Sequence, residues 1–219
     1  MTGYIQAREN MVSGQLLPHK VFLKSILKIM ATVPREDFVP RTLTHLCYAD
    51  EALEVFKNRY LLSPMVFARL VQEANIGKEE KILDIGFGTG YSSLLFGFLC
   101  REVIGLESDK SLVARLRNTL SDYGVMNVHP VYGSLEKGWA EEAPYDIVFI
   151  EGAVQDIPVT IMDQVKENGR IVAMKGQMSS NLPQALIMTK SADGWTKRCP
   201  FEAATPYLKE FVAEERFIL

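Results

Sequence analysis

Asp84, Glu107 and the glycines that follow Asp84 are the residues of this chain whose types and spacing could do chemistry. They lie in ILDIGFGTGY at 82–91 and in VIGLE at 103–107. Gly86, Gly88 and Gly90 alternate with Phe87 and Thr89, and Tyr91 follows. Glycines at a turn accept φ > 0 and let a ligand approach with no Cβ in the way. An apolar helical stretch starts directly afterwards, so its N-terminus would aim N–H groups and a partial positive charge at that ligand. The dinucleotide pattern G-x-G-x-x-G would need glycine where Tyr91 stands. An acid two positions ahead of the first glycine would repel a pyrophosphate and suits an ammonium group. No Gly-Lys-Ser/Thr follows, so the P-loop pattern is absent. Glu107 comes 17 positions after Gly90, close to the spacing at which an acid grips ribose hydroxyls.

These groups need a sheet to hold them. Apolar runs at 82–85, 103–106, 127–132, 145–150 and 170–174 alternate with helical patterns at 92–99, 111–123 and about 158–166. That alternation predicts a mostly parallel α/β sheet. Two later runs, 185–188 and 215–219, are expected to add the last, antiparallel strands. Residues 1–78 read differently. Apolar residues recur at helical spacing over 19–32, Pro34 ends that pattern, 48–53 reads as a loop, and a helix resumes at Pro64. The expected organisation is an N-terminal helical layer, 1–78, in the same domain as a core at 79–219, either capping a sheet edge or lying over the pocket.

Strand-D-x-G-x-G-x-G-helix resembles the first motif of the S-adenosylmethionine (SAM) dependent methyltransferases. The resemblance implies a Rossmann-like sheet with SAM as cofactor, bound outside the carboxyl ends of the strands. Asp84, Gly86, Phe87, Gly88, Thr89, Gly90 and Tyr91 would then line its amino-acid end. Glu107 with Ser108 would hold the ribose, and Ser134 or Leu135 would face the adenine. Asp84 or Glu151 would take the methionine ammonium, directly or through water.

A closer resemblance rests on MATVPREDFVP at 30–40, YADEAL at 48–53, the Leu61-Leu62-Ser63-Pro64 stretch, APYD at 143–146 and DIP at 156–158. In that order the segments resemble the protein-L-isoaspartate O-methyltransferases, especially a divergent bacterial subset with a start like ARENMVSGQLLPHKV at 7–21 and an IEGA stretch at 150–153. The family methylates the α-carboxyl of isoaspartyl residues in damaged proteins and so begins their repair. The resemblance puts Leu62 where most members carry an active-site serine, with Ser63 one place away as a substitute. Gly133-Ser134-Leu135 stands for Gly-Asp-Gly, and Glu151-Gly152-Ala153 for Thr-Ala-Ala.

Methyl transfer from a sulfonium is an in-line displacement. A carboxylate acceptor is ionised at pH 7 and needs no general base. Alignment then supplies the rate, about 7–11 kcal/mol for well-oriented pairs. His19, His45 and His129 are therefore read first as packed or surface residues. A net charge of −3 gives no electrostatic footprint for nucleic acid. Cys47, Cys100 and Cys199, an odd number without paired spacing, imply reduced thiols in a cytoplasmic protein and no metal site. No apolar run of membrane-spanning length and no leader pattern is present, and the oligomeric state is left open. Three functions stay compatible: an isoaspartyl carboxyl methyltransferase, a SAM methyltransferase with another acceptor such as a small molecule, and a non-catalytic SAM-binding protein.

Overall fold

The computed structural model describes residues 2–177 and 182–213. An N-terminal helix, α1 (Thr2–Met11), runs into one π-helical turn, and α2 (Lys24–Thr32) follows. Val33 is already extended ahead of Pro34, whose ring disfavours helix in its predecessor. The helix expected over 19–32 thus starts five residues late, because 17–20 form a turn that closes with Lys20 at φ +64. Two 3-10 turns lead to a hairpin, β1 (Leu53–Phe56) and β2 (Arg59–Leu61), which forms a sheet of its own. Then comes α3 (Pro64–Ala74), with Ser63 as N-cap, Pro64 at its first position and Asn75 at φ +49 closing it.

The main sheet is built from β3 (Lys81–Ile85), β4 (Glu102–Glu107), β5 (Val128–Tyr132), β6 (Tyr145–Val154), β7 (Val165–Lys175), β8 (Gln184–Ser191) and β9 (Gly194–Arg198). Their order across the sheet is β5-β4-β3-β6-β7-β8-β9. The first five are parallel, and β8 and β9 each pair antiparallel to the strand before. The helices between them are α4 (Tyr91–Gly97), α5 (Lys110–Tyr123) and the single turn α6 (Val159–Met162). The mostly parallel sheet with an antiparallel end is therefore the one expected. The helix expected to reach residue 166 stops at Met162 because β7 begins at Val165 and bulges over 165–170 before its ladder resumes. The strand expected at 215–219 lies outside the described residues, and β9, at 194–198, was not foreseen.

Alternation along each strand builds the core. Ile82, Val103, Ile147, Phe149 and Val172 face the N-terminal layer and α3, α4 and α5. Leu83, Ile85, Ile104, Val148, Ile150 and Ile171 face the other way, against Leu135, Ile161, Leu208 and Phe211. An aromatic cluster ties the layer to the sheet: Phe67 of α3 lies 5.8 Å from Phe96 and 6.0 Å from Phe149. Truncating such a buried ring costs about 3–5 kcal/mol. The strand order turns back between β3 and β6, where a parallel sheet opens a crevice at its carboxyl edge.

Candidate functional site

The crevice is floored by the glycine turn. Gly86, Gly88 and Gly90 all have positive φ, at +78°, +56° and +93°. At Gly90 a Cβ would stand 2.5 Å from Leu116 Cδ1, so a side chain there would be strained by φ +93 and would push the Leu116 side chain of α5 aside. Thr89 donates its hydroxyl to the Phe38 carbonyl at 2.7 Å, pinning the N-terminal layer to the turn. Phe87 and Tyr91 are buried, and Tyr91 packs edge-on against Phe38 at 5.2 Å.

Asp84 stands at the end of β3, fully buried, and accepts from Ser92 Oγ at 2.8 Å and Ser93 Oγ at 2.5 Å through the same oxygen. Its other oxygen, Oδ1, has no hydrogen-bond partner among the described residues. Ile85 pairs with Ile150 across β3 and β6, which brings Glu151 beside the start of the turn. Glu151 Oε1, Tyr91 OH and Arg35 Nη1 are also buried without a partner among the described residues. Arg35 comes from the PREDFVP segment; its Nε donates to the Cys47 carbonyl at 2.7 Å and its Nη2 to the Leu62 carbonyl. Its cation lies 5.2 Å over the Tyr91 ring. Arg35, Tyr91, Ser92, Glu151 and Leu62 together line a residual cavity of about 10 Å³. Burial pushes the Asp84 carboxyl up to about 7 against the hydroxyls of Ser93 and Ser92, with the Glu107 charge adding to the rise. Burial and then the Asp84 charge push Glu151 well above the usual carboxylate range, with Ser92 and Arg35 opposing.

Glu107 ends β4 with no exposure. Gly88 N–H donates to its Oε2 at 3.1 Å and Ser108 N–H to its Oε1 at 2.7 Å. Arg59, from the hairpin, donates Nε to both oxygens at 2.9 and 3.0 Å. Burial holds the Glu107 carboxyl above its ordinary value, although Arg59 and the two N–H groups favour its charge. Ser108 Oγ accepts from Arg59 Nη2 at 2.7 Å. Leu135 is buried against Gly86, whereas Ser134 turns to Glu136 at 2.7 Å. The turn therefore gathers Asp84, Glu107, Ser108, Leu135 and Glu151, and leaves the Ser134 hydroxyl engaged within its own loop.

Leu62 and Ser63, adjacent in sequence, face different spaces. Leu62 is 2% exposed and lines the inner cavity. The Ser63 hydroxyl accepts from Val66 N–H at 3.3 Å as the α3 cap, and the residue borders an open groove of about 550 Å³ with Asp50, Glu51, Glu202 and Pro206. The histidines stay out of the crevice: His129 is on edge strand β5 beside Glu102, His19 Nδ1 meets the Gln15 carbonyl at 2.7 Å, and His45 is exposed in a 3-10 turn. Sequence reasoning missed Arg35 and Arg59. A charge between Pro34 and Phe38, in an otherwise apolar-bounded turn, is a weak signal for Arg35. Arg59 has no local signal, because its partner Glu107 is 48 residues away.

The donors suit a zwitterionic nucleoside. Bare carboxylate oxygens match an ammonium, the Arg35 cation matches a carboxylate, and Glu107 can accept from a diol. Among known proteins, the chain matches the family described as protein-L-isoaspartate(D-aspartate) O-methyltransferase over residues 7–205. A protein-L-isoaspartate O-methyltransferase of Koribacter versatilis is 32% identical over 88% of this chain and 86% of its own. A second, from an Anaeromyxobacter species, is 33% identical over 85% and 76%. Among solved structures, a protein-L-isoaspartate O-methyltransferase superposes with a TM-score of 0.78 at 24% identity, over 90% of this chain and 64% of its own. A Plasmodium falciparum protein described as a putative member, in complex with S-adenosyl-L-homocysteine, gives 0.76 at 17% identity over 93% and 98%. With that extent of match on top of the glycine turn and its two acids, this chain belongs to the protein-L-isoaspartate(D-aspartate) O-methyltransferase family.

Proposed function

We propose that this protein transfers a methyl group from SAM to the carboxylate of isoaspartyl residues in protein or peptide chains. The observation that carries the reading is the pair of acids at the glycine turn in a chain whose family match runs from residue 7 to 205. Glu107 would hold the ribose hydroxyls, with Ser108 beside it. The unpartnered oxygens of Asp84 and Glu151 would take the ammonium, and Arg35 the carboxylate, of the methionine end. Gly86, Phe87, Gly88, Thr89, Gly90 and Tyr91 would pass beneath it, and Leu135 would border the adenine, with Ser134 set aside by its bond to Glu136. When bound, SAM supplies an activated methyl on a cationic sulfur.

The protein's part is to orient the acceptor and exclude water. An ionised carboxylate attacks without losing a proton, so neither the family serine at position 62 nor a histidine base is required. Family membership favours this reading over a different acceptor or a non-catalytic SAM binder. No described helix is long and apolar enough to cross a membrane. Three free thiols, Cys47 and Cys100 buried and Cys199 exposed, fit a reducing cytoplasmic compartment. The test is transfer of labelled methyl from SAM to an isoaspartyl peptide beside its aspartyl twin. A base-labile label on the isoaspartyl peptide alone is expected; equal label on both, or none, overturns the assignment.

A further inference from the structure

The hairpin β1–β2 lies on the glycine turn, and its arginine occupies the position that the proposed function gives to the sugar. A Cβ on Gly88 would meet Arg59 Cβ at 3.5 Å and Val55 Cγ2 at 3.9 Å. Behind that contact the Arg59 guanidinium reaches Glu107. Its remaining donors go to Ser108 Oγ at 2.7 Å, to the Asn58 carbonyl at 2.9 Å and to Glu210 at 2.7 and 3.3 Å. The Arg59 and Glu107 side chains are 5% and 0% exposed, that of Glu210 26%. The cavity between hairpin and turn, about 10 Å³, has room for about one water, whereas sites for small ligands run to about 300–1,000 Å³.

We propose that Arg59 sets the affinity for SAM by competing with the cofactor's sugar for Glu107, and that SAM enters only when the β1–β2 hairpin lifts from the glycine turn and Arg59 exchanges Glu107 for Glu210 alone. The inference rests on the SAM-dependent reading above. The two covers of the turn are anchored differently. Leu208, on the other side, packs on Gly86, and its segment is held to β6 by Ala153 N–H to the Pro206 carbonyl at 2.8 Å and Leu208 N–H to the Ala153 carbonyl at 2.9 Å. Among the described residues the hairpin pairs only within itself, over strands of four and three residues. Such an isolated ribbon has little stability of its own, so it is held by the seat it covers: Leu53, Val55 and Leu61 beneath it and the Arg59 ion pairs. Glu210 keeps a counter-charge available to the guanidinium after Glu107 is released, so the exchange leaves no buried cation unpaired.

Calorimetry with S-adenosylhomocysteine on the wild type and on Arg59→Ala tests the idea, together with hydrogen exchange on the wild type. A ligand whose competent state is a minor one binds more weakly by that fraction. Arg59→Ala is therefore expected to bind at least about tenfold tighter, and amides at 53–61 to exchange faster in the saturated wild type while those of β3 stay protected. Equal or weaker binding by Arg59→Ala overturns the competition. Should the unpaired Glu107 prevent that variant from folding, unchanged protection at 53–61 in the saturated wild type overturns it instead. If neither wild type nor folded variant binds S-adenosylhomocysteine or SAM at millimolar concentration, the cofactor reading itself fails and takes the inference with it.

Discussion

At the β4 end of the glycine turn, Glu107 accepts hydrogen bonds from Arg59, Ser108 and Gly88. At the β6 end, Asp84 Oδ1 and Glu151 Oε1 accept none from the described residues. Both ends are buried, so the contrast lies in partners and not in exposure. A buried carboxylate without its full set of donors is costly, and such groups cluster where a ligand completes them. The end that a sugar would use carries a competing guanidinium; the end that an ammonium would use has been left bare. On the proposed reading of the site, one half is closed by the protein's own side chain and the other half is poised.

Gly88→Val is the harshest way to break this comparison, since position 88 touches the closed half directly. Valine at φ +56 is strained, and its methyls would fill the space between turn and hairpin. SAM binding, read by calorimetry, is expected to vanish at millimolar ligand; normal binding would remove the turn from the site. Glu107→Gln is next. The amide keeps one acceptor and loses one charge-assisted bond to the diol, about 1.5–3 kcal/mol, so it is expected to weaken SAM about 10- to 100-fold. Unchanged affinity would place the sugar elsewhere.

What the sequence discloses follows the same division. The sheet, its antiparallel end and the grouping of Asp84, Glu107 and Glu151 could be read from local patterns, because strand periodicity and a glycine turn are encoded within a few residues. The hairpin was not legible. The loop expected at 48–53 stops where β1 begins, and 54–61 mix Glu54, Lys57, Asn58 and Arg59 with Val55, Phe56, Tyr60 and Leu61 without strict alternation. The meaning of Arg59 comes from Glu107 and Glu210, which lie 48 and 151 residues away. Arg35 escaped for a related reason, since its partners are backbone carbonyls at 47 and 62, and carbonyls leave no trace in residue identity.

The bare end is probed by Asp84→Asn. In the folded protein the Asp84 carboxyl is raised from an ordinary 3.8 to about 7, chiefly by burial. Between those values the folded chain keeps a proton that the unfolded chain has released. Stability therefore falls as pH rises through the window from about 4 to about 7 and stays lowered above it. Ionising Asp84 in its buried place therefore costs the folded chain stability that a neutral side chain would keep. Asparagine keeps the acceptor for Ser92 and Ser93 and carries no charge. Thermal unfolding is expected to show it several degrees more stable than wild type at pH 8, at about 2–4 °C per kcal/mol, with the gap closing as pH falls toward 4. A gap that does not depend on pH would mean that Asp84 is ionised at no cost.

Ser63→Ala gives the smallest effect and the sharpest separation of neighbours. The hydroxyl caps α3 through Val66 N–H and borders the outer groove, while Leu62 lines the inner cavity. Losing a serine cap costs about 1 kcal/mol, or about 2–4 °C in Tm for a chain of this size. Methyl transfer to the isoaspartyl peptide should stay within about twofold of wild type at a temperature where both are folded. A tenfold fall in kcat with Tm barely moved would say the reverse: that Ser63 reaches the acceptor and stands in for the serine that Leu62 replaces. The two readings differ in which quantity moves, because a cap acts on the stability of α3 whether or not a substrate is present. A group that touches the acceptor acts on turnover alone.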